Sequence, residues 1–454
     1  MLCPSASIGF KYIYLVSNIQ SILRDKISKI LKKSDQDQKE IIKKGIFFMG
    51  FRATGILGGY LFTLYITNNY GASLNGLVVL SFSIFMFATI IGRLGIDVNL
   101  IKFYSTEKNW EENPGLFYRV LLKSFLFSSF LVAILYLSRD FVIINLFEKP
   151  QLKPYYFWAI LSIPGWVITM LCAGALRAKG YNNWFAFFIN TGRFSLAFIF
   201  VCILGWIEMN PINVMIAHLY GIYILTLIAL IVTVKKFKRV SFKSEINTWA
   251  FLKESFPMML SSTIMIFLGW MDTFILGIYE TDESIGIYNV ALKLALVTSF
   301  SIEAINSSLA PKIANLYLND LKEKFLNLVK FSTRLNFILT LLIVAVLVIF
   351  NQWFLGIFGE EFKAGSIALI ILCSIHLINS SVGSVGIIMQ MTGKQKQYQY
   401  IAIISLCINL LLNFILIPRY GINGAAIATA VSLSVWNVSG CVYLKRKENI
   451  KTYL

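Results

Sequence analysis

The sequence predicts an all-α membrane protein with about twelve transmembrane helices in two six-helix bundles, each crossing being a run of about 20 apolar residues. Three observations predict it. The 454 residues are 57% hydrophobic and only 14% charged, against about 25% charged in an average soluble domain. The apolar residues gather into runs long enough to cross a bilayer, where a chain must satisfy its own backbone groups and a helix does so within one segment. The Lys and Arg residues fall mostly in the gaps between those runs, as membrane topology requires.

The crossings are read at 45–67, 76–94, 117–138, 155–176, 184–206, 213–234, 255–279, 286–310, 331–351, 365–391, 398–417 and 421–443. Residues 1–44 precede the first. There Ile19, Ile22, Leu23, Ile27, Ile30 and Leu31 recur at helical spacing among Arg24, Lys26, Lys29, Lys32 and Lys33. That pattern fits a basic cytoplasmic segment, read as an amphipathic helix on an anionic membrane surface or as a partly ordered tail. Pro164 is expected to kink the fourth crossing, because it removes a backbone donor. Pro418 is expected to end the eleventh helix, with Tyr420 and Gly421 in a tight turn.

Of the 41 Lys and Arg residues, Arg139, Lys149, Lys153, Lys363 and Arg419 lie in the gaps of one side, Arg52, Arg193 and Lys293 lie within crossings, and the others lie on the opposite side. The basic side is cytoplasmic, so both termini are expected there, in a multi-pass protein of the cell membrane. The expected division is 45–240 for one bundle, 241–443 for the other, and 444–454 for a cytoplasmic tail.

The net charge of +18 does not imply nucleic acid, because the basic residues form no single soluble face. The six cysteines have neither metal-ligand nor redox spacing, and two histidines are too few for a histidine metal centre. No metal site and no bound cofactor are expected. The gaps are short and hold no zinc-protease motif, P-loop or dinucleotide fingerprint, so an enzyme is not expected.

The two halves repeat. Gly76-Leu77 and Gly286-Ile287 each open a crossing, 210 positions apart, and Lys102 matches Lys312 at the same offset. Six crossings per half place both halves in the same orientation, the parallel-repeat design in which two bundles rock about a central site.

Ionisable residues at membrane depth are costly, at about 2.5–3.5 kcal/mol on insertion scales, so they are the default functional candidates. Here these are Arg52, Arg193, Asp272 and Lys293. Asp272 and Lys293 could instead neutralise each other, and Arg193 could bridge helices within its own bundle. Arg93 and Glu303 occupy matched positions with opposite charge, as a cytoplasmic gate or as two solvated interfacial residues.

Three stretches carry a family resemblance: Ile408–Ser432 (INLLLNFILIPRYGINGAAIATAVS), Asp272–Lys293 with its Gly286-Ile287-Tyr288, and Tyr70–Tyr104. Together they resemble the polysaccharide-biosynthesis flippases of the O-antigen type. These form a branch of the multidrug, oligosaccharidyl-lipid and polysaccharide exporter superfamily with its MATE-like fold. Read physically, Gly424, Ala425, Ala428 and Ala430 give the last crossing a small-residue packing surface. Asn409 and Asn413, one turn apart, bond across helices or line a cavity.

The resemblance implies a carrier for a sugar chain joined through pyrophosphate to a polyprenyl lipid. It would move that substrate from the inner to the outer leaflet by alternating access, for surface polysaccharide biosynthesis. It implies membrane lipids and other polysaccharide-assembly proteins as partners, and coupling to a proton or sodium gradient in some relatives. An anionic head group needs cations. Arg52 and Lys293 are the first choices, since the first and eighth crossings line the central cavity in proteins of this kind, with Arg193 beside them. Asp272 would pair with Arg52 or Lys293 in one state, or take up the coupling ion. A multidrug exporter of the same fold and a membrane glycan polymerase are the alternatives.

Overall fold

The computed structural model describes residues 36–454, with side chains from Gly50 onward at all but a few positions. The basic amphipathic pattern of Ile19–Lys33 lies outside the described residues. Residues 51–454 form one compact unit, and every contact below is within it.

Among the described residues all regular structure is helical. The elements are α1 Gln36–Arg93, α2 Ile96–Phe103, α3 Glu107–Glu112, α4 Pro114–Leu137, α5 Lys153–Leu161, α6 Ile163–Ala178, α7 Asn182–Ala186, α8 Gly192–Ile207 and α9 Asn213–Phe237. There follow α10 Thr248–Tyr279, α11 Asp282–Leu296, α12 Ser299–Leu318, α13 Lys322–Ile349, α14 Asn351–Gly356, α15 Ser366–Val382, α16 Val385–Met391 and α17 Gln395–Lys447. Eight of the described helices, some joined across short breaks, are long and apolar enough to cross a membrane, and a ninth is the pair α11–α12, bent by 43°.

Two of the eight are too long for one crossing. The apolar part of α1 has 44 residues and α17 has 53. Each breaks at one glycine, Gly71 (φ 78°, ψ −174°) and Gly421 (φ 54°, ψ −133°). A side chain would disfavour that backbone, which is why glycine stands there. Each long helix therefore supplies two crossings, and with α10 the described chain makes the twelve read from the sequence. The eleventh helix does not end at Pro418. It runs through the proline, which costs one backbone bond, and turns at Gly421, where the dihedral angles leave the helical region. Pro164 does mark a break, at the first turn of α6, where a missing donor costs nothing.

The glycines matched by the repeat meet each other. A Cβ on Gly76 would lie 1.8 Å from the Asp282 carbonyl oxygen, and one on Gly286 would lie 2.0 Å from that of Ala72. The contact is reciprocal, because Ala72 precedes Gly76 by one turn as Asp282 precedes Gly286. The second arm of α1 and α11 thus cross backbone to backbone, with Asn75 Nδ2 donating to the Gly286 carbonyl at 3.0 Å. At the other end of that arm, α2 packs on α10, and Asn99 donates to the Phe251 carbonyl and to Ser255 Oγ.

The residues after α17 fold back. Thr333 Oγ1 donates to the Thr452 carbonyl at 2.7 Å, and Lys394 pairs with Glu448 at 2.6 Å.

Candidate functional site

Three elements bring cations to one place. The first arm of α1 carries Arg52, α8 carries Arg193, and α11 carries Lys293. All three line a single cavity of about 430 Å3, together with Glu303 from α12. The local sequence makes this approach possible. Gly55, one turn beyond Arg52, lies against Asn190, and a Cβ there would sit 2.2 Å from the Asn190 carbonyl oxygen. Asn190 belongs to a π-helical turn, Phe187–Thr191, just before Arg193. Such turns widen a helix locally and recur at functional sites.

The three cations are held differently. Arg52 Nη2 donates to Glu303 Oε1 at 2.5 Å, and both side chains remain about one-third exposed, at 39% and 31%. Lys293 Nζ donates to Thr63 Oγ1 at 2.5 Å, and the Lys293 carbonyl accepts from Tyr60 Oη at 2.5 Å. Arg193 is 5% exposed. Its Nε donates to His218 Nε2 at 3.0 Å, and its guanidinium lies 4.6 Å from the Phe194 ring centre and 4.8 Å from that of Phe85. Its Nη2 has no hydrogen-bond partner among the described atoms. Neither Arg193 nor Lys293 pairs with a carboxylate among the described residues. Aromatic faces attract a cation but leave its in-plane donors free. The cavity's described lining therefore holds three basic side chains and one acidic one.

Asp272 stands elsewhere. It is 3% exposed, in α10, and its partners are neutral. Tyr288 Oη donates to Oδ2 at 2.7 Å, Asn413 Nδ2 to Oδ1 at 2.8 Å and Asn409 Nδ2 to Oδ1 at 3.3 Å; Thr429 Oγ1 also donates to Oδ2. The expected pairing with Arg52 or Lys293 is not made. The carboxylate is satisfied by four neutral donors from α11 and the two arms of α17. Asn409 and Asn413 bond across helices around it, with the Asn413 Oδ1 unpartnered.

Arg93 and Glu303 do not meet as a gate. Arg93 Nη1 binds Asp97 at 2.9 Å, one turn away across the Gly95 break. Glu303 is taken by Arg52. The Arg93 pairing is a local contact between residues four apart, and Glu303 is engaged by the cation that faces it from α1.

The sequence reading passed over His218 and Tyr60. The signal for His218 was an ionisable ring inside an apolar run, the same signal that picked Arg193. Tyr60 had no signal of its own, since a tyrosine in a crossing is ordinary.

The chain matches the family model described as polysaccharide biosynthesis protein over residues 28–317, and the MatE model over 257–415. Among curated proteins it is 30% identical over 215 residues to the probable low-salt glycan biosynthesis flippase Agl15 of Haloferax volcanii, covering 47% of this chain and 45% of that one. It is 26% identical over 205 residues to the capsular polysaccharide biosynthesis protein CapF of Staphylococcus aureus, covering 44% of this chain and 52% of that one. The chain thus spans about half the length of the curated relatives it matches. Among solved structures it resembles the lipid II flippase MurJ in an inward closed conformation, with a TM-score of 0.71 at 18% identity, covering 89% and 87% of the two chains. It also resembles an inward-facing multidrug resistance MATE family transporter of the MOP superfamily, with a TM-score of 0.67 at 14% identity, covering 88% and 97%.

Proposed function

Because this chain belongs to the polysaccharide biosynthesis protein family, we propose that it is a flippase for a polyprenyl-pyrophosphate-linked oligosaccharide. It carries the head group from the cytoplasmic to the outer leaflet by alternating access, and the product serves surface polysaccharide assembly. The observation that carries this reading is the cavity shared by Arg52, Arg193 and Lys293, with Glu303 as its one described carboxylate. Burying a cation without a counter-charge costs several kcal/mol, and neither Arg193 nor Lys293 has one among the described residues. A pyrophosphate placed among the three offsets that cost, and the arginine forks present paired donors to its oxygens.

A multidrug exporter of the same fold would carry cationic substrates and would be served by acidic groups at this depth. Here Glu303 is already engaged by Arg52, and Asp272 is sealed among neutral donors. These facts favour the anionic substrate. In the flippase reading both termini are cytoplasmic, the membrane is the cell membrane, and the partners are the lipid-linked glycan, membrane lipids and other polysaccharide-assembly proteins. The protein is then a carrier and not an enzyme.

Asp272 fits a coupling role. Its carboxylate is the one charged group among the Asn409 and Asn413 amides and the Thr429 and Tyr288 hydroxyls, all of which donate to it, so uptake of a proton or a sodium ion there would break and rearrange bonds that tie α10 to α11 and to both arms of α17. The test of the main reading is headgroup binding. The purified protein should bind a water-soluble pyrophosphate-linked sugar, and Arg52→Ala and Lys293→Ala should each remove that binding while inserting normally. Equal binding in both variants would reject the assignment.

A further inference from the structure

Beside the cation cavity lies a second one of about 530 Å3, whose accessible lining is entirely apolar. The two share Tyr60 and Val297. The second is built from the first arm of α1 (Tyr60, Leu64), from α11 and the turn after it (Val297), from α13 (Leu342, Val346), and from the segment after α14 (Phe358). Leu342 and Val346 are 60% and 49% exposed, so this groove is open along one side, whereas Phe358, beside Tyr60, is buried.

We propose that this groove holds the first isoprene units of the substrate's lipid chain while the pyrophosphate sits among Arg52, Arg193 and Lys293. The inference rests on the flippase reading and places the other half of the same molecule. Three features support it. The substrate class has one anionic end and one branched apolar end, and the two cavities offer those environments side by side. Tyr60 stands at their junction, its hydroxyl donating to the Lys293 carbonyl and its ring 6.4 Å from that of Phe358. The groove's volume falls within the range of about 300–1,000 Å3 usual for ligand pockets.

The groove does not gain affinity by hiding the chain from water, because the chain leaves lipid that is equally apolar. What it offers is packing, so it discriminates by shape. Branched isoprene units would fill the aromatic end at Phe358, whereas a straight acyl chain would leave gaps there that forfeit contact. In the expected topology the groove's Tyr60 and Leu64 lie in the outer half of the first crossing, level with Lys293 in the eighth, which bonds Thr63, while Arg52 lies toward the inner side. The chain would then already occupy the outer half when the head group is bound.

The test uses the full chain in lipid nanodiscs and a long-chain polyprenyl pyrophosphate with a photoreactive diazirine near the pyrophosphate. Crosslinks should map to Leu342–Val346 and to the segment around Phe358. Unlabelled polyprenyl phosphate should compete, and dioleoyl phosphatidic acid, with a phosphate head and acyl chains, should not. Val346→Trp, which fills the groove, should lower crosslinking by about ten-fold, a difference of about 1.4 kcal/mol, and leave binding of a soluble pyrophosphate-linked sugar unchanged. Soluble headgroup binding with crosslinks elsewhere, or equal competition by phosphatidic acid, would overturn the groove assignment alone. Absence of headgroup binding in the unaltered protein would overturn the flippase reading and this inference with it.

Discussion

Arg52 and Glu303 come from opposite halves of the chain, and their side chains meet at 2.5 Å on the lining of the cation cavity. The pair is partly exposed, and such pairs are worth up to about 1 kcal/mol. It therefore holds Arg52 lightly. Glu303→Gln should free Arg52 for an anionic head group and tighten pyrophosphate-sugar binding by up to about five-fold, which corresponds to about 1 kcal/mol. Isothermal titration in detergent reads this. Weaker binding in Glu303→Gln would mean that the carboxylate is needed to aim Arg52.

Arg193 distinguishes a substrate role from a structural one. It is buried, bonded to a histidine and boxed by rings, with no carboxylate partner among the described residues. Removing a buried charge is strongly destabilising when it strands an opposite charge, and Arg193 has none to strand. Arg193→Met is expected to keep the melting temperature within a few degrees and to lower glycolipid transport by at least about ten-fold, about 1.4 kcal/mol in the barrier. Loss of folding with normal transport per folded molecule would assign Arg193 to structure.

Asp272 should govern ion dependence. Asp272→Asn keeps the shape and loses the charge, so it is expected to insert and fold while transport becomes indifferent to imposed sodium or proton gradients. Flux measured with each gradient applied separately checks this. A variant that responds to both gradients as the parent does would remove Asp272 from coupling.

The crossing of Gly76 and Gly286 leaves no room for a side chain. Gly286→Val should force the helices apart and destabilise the folded protein by about 1–3 kcal/mol, the usual cost of overpacking. It should also make a cysteine placed at Thr281, outside in the proposed orientation, react faster with an impermeant thiol reagent. Protection of position 281 from that reagent in intact cells, in the parent and the variant alike, would overturn the orientation.

Much of this was legible in the sequence, for physical reasons. Helical crossings declare themselves because a helix that spans a bilayer needs about 20 mostly apolar residues in a row. Arg52, Arg193 and Lys293 stood out because charges at that depth need a reason. The 210-residue offset pointed to Gly76 and Gly286, though not to their touching. Pairings were less legible. Asp272 was expected to pair with a basic side chain or take up the coupling ion, but Tyr288, Asn409, Asn413 and Thr429 satisfy it, and neutral donors converging from three crossings leave no trace in any one of them. Arg93 took Asp97 because a neighbour one turn away wins over a partner across the molecule. The turn at Tyr420-Gly421 was read where it stands, but the helix was ended three residues early, at Pro418, because proline is the more conspicuous breaker although glycine is the one that permits the bend.

The central claim is that the cavity of Arg52, Arg193 and Lys293 moves an anionic lipid head group. It is tested most directly by reconstituting the protein in vesicles with a labelled polyprenyl-pyrophosphate oligosaccharide and timing its appearance in the opposite leaflet. The predicted result is movement that requires the protein and is lost in Arg52→Ala. No movement of that lipid, in vesicles where the same protein exports a cationic dye, would contradict it.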